Sequence, residues 1–145
     1  METQRMDMIE RVYQLLLSCP DPNKREGASG WTVKEVVGHL IDSVSNNHQR
    51  LLRFTADKEF HFPGYDQETF VQRAGYRDFE FKTLLSLWYA HNKLFLHITN
   101  NLSKEHLGCM IRIGDQSAVT IAQLIDDYYA HMEKHEQQIK TILAV

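Results

Sequence analysis

Four long stretches with helical apolar periodicity, set apart by clustered helix breakers, constrain this 145-residue chain more than any other feature. Cys-Pro-Asp-Pro-Asn at 19–23 and Glu-Gly-Ala-Ser-Gly at 26–30 make one break, His-Phe-Pro-Gly-Tyr at 61–65 a second, and Gly114 to Ser117 a third. Proline lacks the backbone N–H and glycine carries the largest entropy cost, so such segments do not continue a helix. Between them, Ile9, Val12, Tyr13, Leu16 and Leu17 predict a helix over about Arg5–Ser18. Val33, Val36, Val37, Leu40, Ile41, Val44, Leu51 and Leu52 predict a second, from Thr32 to about Phe54. Leu84, Leu85, Trp88, Phe95, Ile98 and Leu102 give a third over about Glu80–Asn101, and a fourth runs from Thr120 to about Leu143. Thr32 with Glu35, and Thr120 with Gln123, have the spacing of reciprocal N-terminal caps.

The 55–78 stretch is too long for a simple turn and is expected to carry a short helix near Gln67–Arg73. Leu102 to Gln116 is expected as a loop, briefly extended at Met110–Ile113. Four amphipathic helices without strand alternation predict an all-α four-helix bundle with a long crossover between helices 2 and 3, one domain over 1–145.

Composition excludes several classes. Net charge is −3, which argues against nucleic-acid binding through a basic surface. No apolar run reaches the roughly 18 residues of a membrane span, and the polar start is not a secretion signal. Cys19 and Cys109 are far apart and build neither a disulfide framework nor a CxxC motif; a reduced, cytoplasmic setting is expected. Eight histidines stand out instead.

In heptads of the fourth helix, Ile121, Tyr128, His135 and Ile142 share one seam position, while Leu124, His131 and Gln138 share the other. His131 and His135 thus replace apolar residues, and four-residue spacing puts both rings on one face. Such a pair can bind one ion. It can equally be two core histidines hydrogen-bonded to Tyr128, Asp127 or backbone groups, and HxxxH alone does not choose. His39 lies at the edge of the second helix's apolar face, on a line through Ser43 and Asn46. Joined to the other two it would complete a three-histidine set with open positions, the catalytic type of metal site. His91, between Trp88 and Phe95, faces the seam as a fourth ligand, a substrate contact, a proton shuttle or a satisfied core residue. His48, His61, His97 and His106 read as surface or loop residues.

The segment Gly-Trp-Thr-Val-Lys-Glu-Val-Val-Gly-His-Leu-Ile-Asp-Ser at 30–43 resembles the Trp-Thr/Ser…Glu…His-Leu…Asp-Ser segment of the DinB/YfiT-like superfamily. The stretch Thr120–Ile139, with Tyr129, Ala130, His131 and His135, resembles its C-terminal HxxxH helix. Gly64 to Gln67, onward to Phe70, is similar to the Pro-Tyr-Asp-Glu…Trp segment of the YfiT-like branch, and Tyr89-Ala90-His91 sits where that branch often has Leu-His. The likeness covers about Ile9 to Leu143. It implies a four-helix bundle whose metal is held by His39, His131 and His135, with zinc or nickel most often bound and iron or manganese as further options. It also implies a homodimer, and activity as a metal-dependent hydrolase or a transferase of low-molecular-weight thiols. Two departures, Phe70 for the usual Trp and Glu136 for an apolar residue, fall in segments that shape the family's substrate pocket.

Three neutral imidazoles leave a divalent ion its full charge, so its open position can activate a water or a substrate thiol, and no protein side chain is assigned a catalytic role beyond that. Asp42, three residues after His39, and Asp127, four before His131, are candidate hydrogen-bond acceptors behind the ligands, or else solvated carboxylates. Tyr65 and Asp66 are candidates for the pocket mouth, or else turn residues. Met132 follows His131, so no HExxH motif is formed, and Cys109 reads as an inert thiol. The expected function is a divalent-metal-dependent enzyme acting on a small molecule, as a hydrolase or, with a thiol cofactor, an S-transferase. A non-catalytic metal-binding or stress-linked ligand-binding bundle is the alternative, and a plain helical interaction protein the third reading.

Overall fold

A computed structural model describes residues 1–145. Its four long helices are α1 (Glu2–Leu17), α2 (Val33–Arg53), α4 (Phe81–Asn101) and α6 (Ile121–Leu143). Shorter helices α3 (Gln67–Ala74) and α5 (Lys104–Leu107) lie in the connections. So do three strands, β1 (Phe60–Phe62), β2 (Met110–Ile113) and β3 (Val119–Thr120).

Local chemistry sets the boundaries. Both expected capping boxes form: Thr32 Oγ1 accepts from the Glu35 N–H while Glu35 accepts from the Thr32 N–H, and Thr120 and Gln123 do the same. The helix α1 starts at Glu2, three residues before the expected Arg5, and stops at the turn before Pro20. Gly75 takes the left-handed conformation (φ 67°) that ends α3.

The four long helices form the bundle. The helices α1 and α2 occupy opposite corners, and each packs against both α4 and α6. The connections from α1 to α2 and from α4 to α6 therefore cross the bundle ends diagonally, while α2 and α4 pack side by side. The core is one cluster that includes Ile9, Val12, Leu16, Val36, Leu40, Trp88, Phe95 and Ile139. Burying such side chains stabilises by about 1.5–3 kcal/mol each before entropy is counted.

The connections depart from the sequence expectation, and α5 itself forms within the 102–116 stretch expected as a loop. The crossover and the α5–α6 connection meet in a three-stranded sheet of order β1-β2-β3. The strand β1 runs parallel to β2, with Phe60 opposite Ile111 and Phe62 opposite Ile113, and β3 closes antiparallel. Ile111 is fully buried and fastens this sheet to the core. No helix is long and apolar enough to cross a membrane.

Candidate metal centre

The helices α2 and α6 are neighbours, and His39 from α2 meets His131 and His135 from α6 between them. Their ring nitrogens lie within 4.8 Å of one another. His131 Nε2 is 3.1 Å from His39 Nε2 and 3.0 Å from His135 Nε2. His39 and His135 are buried and His131 half-buried.

Burial, helped by charge repulsion from the neighbouring histidines, lowers the His39 pKa to about 3. Burial and the charges of His135 and Lys134 lower His131 to about 4, and His135 is shifted down as well, chiefly by burial. All three rings are therefore neutral at pH 7, the form that binds a metal ion. His135 Nδ1 lies 2.6 Å from Gln138 Oε1. Nδ1 is then the donor, so the lone pair of His135 is on Nε2, facing the other two rings. Trp31 lies against His39 with ring centroids 5.0 Å apart, and its indole N–H donates to Glu68.

These residues fit a divalent ion. Three nitrogens are gathered where hydrogen bonding cannot satisfy all of them, and His39 Nδ1 is itself buried without a partner. Tetrahedral bonds of about 2.0–2.1 Å place ligand nitrogens about 3.3 Å apart, within a few tenths of an ångström of the two shorter separations, and all three atoms lie within 4.8 Å of one another.

Beside the histidines lies a cavity of about 350 Å³. His131, Tyr65, Asp127, Ser43, Asn47 and Arg50 supply its polar lining; Ile113, Val119 and Leu124 supply apolar walls. A few polar groups converging on a partly apolar chamber is the usual composition of a small-molecule site. Another cavity, about 620 Å³, reaches His135 and Gln138 and is lined almost wholly by polar side chains.

The remaining sequence candidates divide. Tyr65 and Asp127 both line the smaller cavity, and burial pushes the Tyr65 hydroxyl pKa up, so it stays a proton donor. Phe70 packs against Tyr65 with tilted rings, centroids 4.8 Å apart, and backs that wall. Asp66 does not reach the cavity; it precedes α3 and accepts from the Thr69 hydroxyl. Asp42 is not the acceptor behind His39. It takes the Tyr76 hydroxyl instead, and its other oxygen is buried without a partner. Tyr76 reaches Asp42 across Gly38, where a Cβ would fall 2.1 Å from its ring. Glu136 does not shape the pocket: it is fully buried against α1, held by Arg11 through two bonds of 2.7 and 2.9 Å and by Lys140 at 3.3 Å.

His91 does not join the three histidines. Its Nε2 meets His48 Nδ1 at 2.9 Å across the α2–α4 seam, so His48 is a half-buried partner and not a surface bystander. Sequence reasoning also missed Gln138 and Arg50. A polar residue at the seam position after His131 was the available signal for the first; nothing in the sequence marked the second as buried.

No family model matches the sequence. A protein of Oceanobacillus iheyensis named "Putative metal-dependent hydrolase" is 25% identical over 122 residues, 84% of this chain and 69% of the relative. Among solved structures, YfiT from Bacillus subtilis is described as "a probable metal-dependent hydrolase with an unusual four-helix bundle topology". It matches with a TM-score of 0.82 at 18% identity, covering 97% of this chain and 85% of that one. The four-helix bundle is the fold shared with YfiT, and the gathered histidines agree with the metal dependence that both relatives' names carry.

Proposed function

We propose that the protein is a divalent-metal-dependent hydrolase of a small molecule, with His39, His131 and His135 as the ligands. The convergence of three neutral imidazole nitrogens, two of their separations being 3.0 and 3.1 Å, carries this reading. The names of the two relatives support the hydrolytic chemistry. A divalent ion held there supplies Lewis acidity at the coordination positions the protein leaves free.

The chain's own groups do the rest. Gln138 fixes the tautomer of His135. The apolar walls of Ile113, Val119 and Leu124 limit water around a bound substrate. Tyr65 offers a hydroxyl proton, and Asp127, the one carboxylate lining the smaller cavity, is placed to accept one. The same donor set also suits activation of a thiol, so thiol transfer is the second outcome to screen.

The test is elemental analysis of natively purified protein, followed by a screen of ester, amide and thiol-acceptor substrates. About one divalent ion per chain is expected, lost with His131→Ala together with turnover. Metal-free protein under native purification would overturn the proposal. Turnover only with a thiol co-substrate would replace hydrolysis by transfer. The superfamily resemblance also supports a homodimer, for which light scattering should give about two chain masses.

A further inference from the structure

The buried face of α2 stays polar beyond His39. Ser43, Asn47 and Arg50 continue it at helical spacing, each less than a tenth exposed, and all three line the cavity that His131 also lines. Arg50 is the unusual member. It is only 6% exposed, yet no carboxylate lies within ion-pair distance. Its one hydrogen bond runs from Nη1 to Asn47 Oδ1 at 3.3 Å, and its plane lies over the Phe62 ring at 5.3 Å. Nε is buried without a partner. Asp127, in the same cavity, does not pair with it.

A buried guanidinium without a counter-anion is costly to fold around, and burial lowers its pKa accordingly. Asn47 holds it in place: the Asn47 side-chain amide donates to the Ser43 carbonyl at 2.8 Å while its oxygen receives Arg50. That leaves Nε and Nη2 without a hydrogen bond, the edge of the fork that takes two oxygens of a carboxylate or phosphate side by side, with Nη2 its accessible member. Arg50 is 11 residues from His39, about 16 Å along the axis and nearly in line with it. Side chains lean towards a helix N-terminus, so Arg50 reaches back towards the histidines.

We propose that Arg50 anchors an acidic group of the substrate, a carboxylate or phosphate, so that the small molecule is an anion held between this guanidinium and the three-histidine site. This rests on the reading of the smaller cavity as the substrate chamber. Asn47 is a positioning residue for Arg50.

The test uses full-length protein, zinc-loaded and chelator-treated, titrated calorimetrically with butyrate, methylphosphonate and the neutral butyramide. At least one of the two anions should bind both forms, with butyramide much weaker; the better anion identifies the acidic group. Arg50→Met should weaken that binding about tenfold to a hundredfold with zinc content unchanged, and Arg50→Lys should retain part of it. Equal binding of acid and amide, no binding of either anion, or anion binding that survives Arg50→Met would overturn the proposal. The acid-against-amide comparison on chelated wild-type protein decides even if Arg50→Met does not fold. Arg50-dependent anion binding by a protein that never holds zinc would sink the metal reading and leave this one standing.

Discussion

The helix α2 carries two imidazole clusters on two seams, one against α6 and one against α4. In both, ring nitrogens of different helices sit about 3 Å apart. The difference lies in the count of lone pairs. His48 and His91 are two rings, and one N–H between them satisfies both facing nitrogens. His39, His131 and His135 bring a third ring, and one proton no longer suffices. Gln138 has no counterpart among the hydrogen bonds of the pair. Closeness of histidines is therefore weak grounds for a metal; a surplus of unprotonated nitrogens is strong grounds.

Removing one ring from each cluster breaks the comparison hardest. His135→Ala should abolish stoichiometric metal, a loss of more than about a hundredfold in affinity, whereas His48→Ala should leave metal content at the wild-type level by elemental analysis. Gln138→Leu should then weaken zinc affinity by about 10–100-fold in chelator competition, since His135 loses its tautomer lock. Acid titration sharpens the contrast next. The folded pKa values of His39 and His131 lie below 6.5, so the unfolded chain binds more protons as pH falls below that value. Chelator-treated protein should lose stability from about pH 6.5 downward, by up to about 1.4 kcal/mol per pH unit for each ring, levelling off below about pH 3. Urea unfolding across that range measures it, and His131→Phe should flatten the slope. The smallest effect belongs to the pair: His91→Gln keeps a hydrogen-bonding group on the seam and should shift stability by about 1 kcal/mol or less.

Much of this contrast was legible in the sequence, and the reason differs by residue. His131 and His135 interrupt a seam of Ile121, Leu124 and Tyr128, and local periodicity exposes that directly. The capping boxes at Thr32 and Thr120 depend on groups three residues apart, so they too could be read from the chain. His48 resisted because its partner lies 43 residues away on another helix. Arg50 resisted because arginine is seldom buried, and its environment is made by segments remote in sequence. The sheet resisted for a similar reason. Strands of two to four residues have too little alternation to register, and β1 finds β2 only after a detour of about fifty residues through α4. Glu136 had the opposite fate: its polar character was visible, but its partner Arg11 sits 125 residues away in α1.

That late pairing of β1 with β2 has a kinetic consequence. The smaller cavity's wall is built from Gly64 and Tyr65 just after β1, and from Ile113 to Val119 on the other side of the sheet. Helix packing alone can assemble the histidines, while the chamber exists only once this high-contact-order junction has closed. Its few inter-strand bonds also make it a low-cost unit for local opening, so the amides of β1 and β2 should exchange with solvent faster than those at the centre of α2.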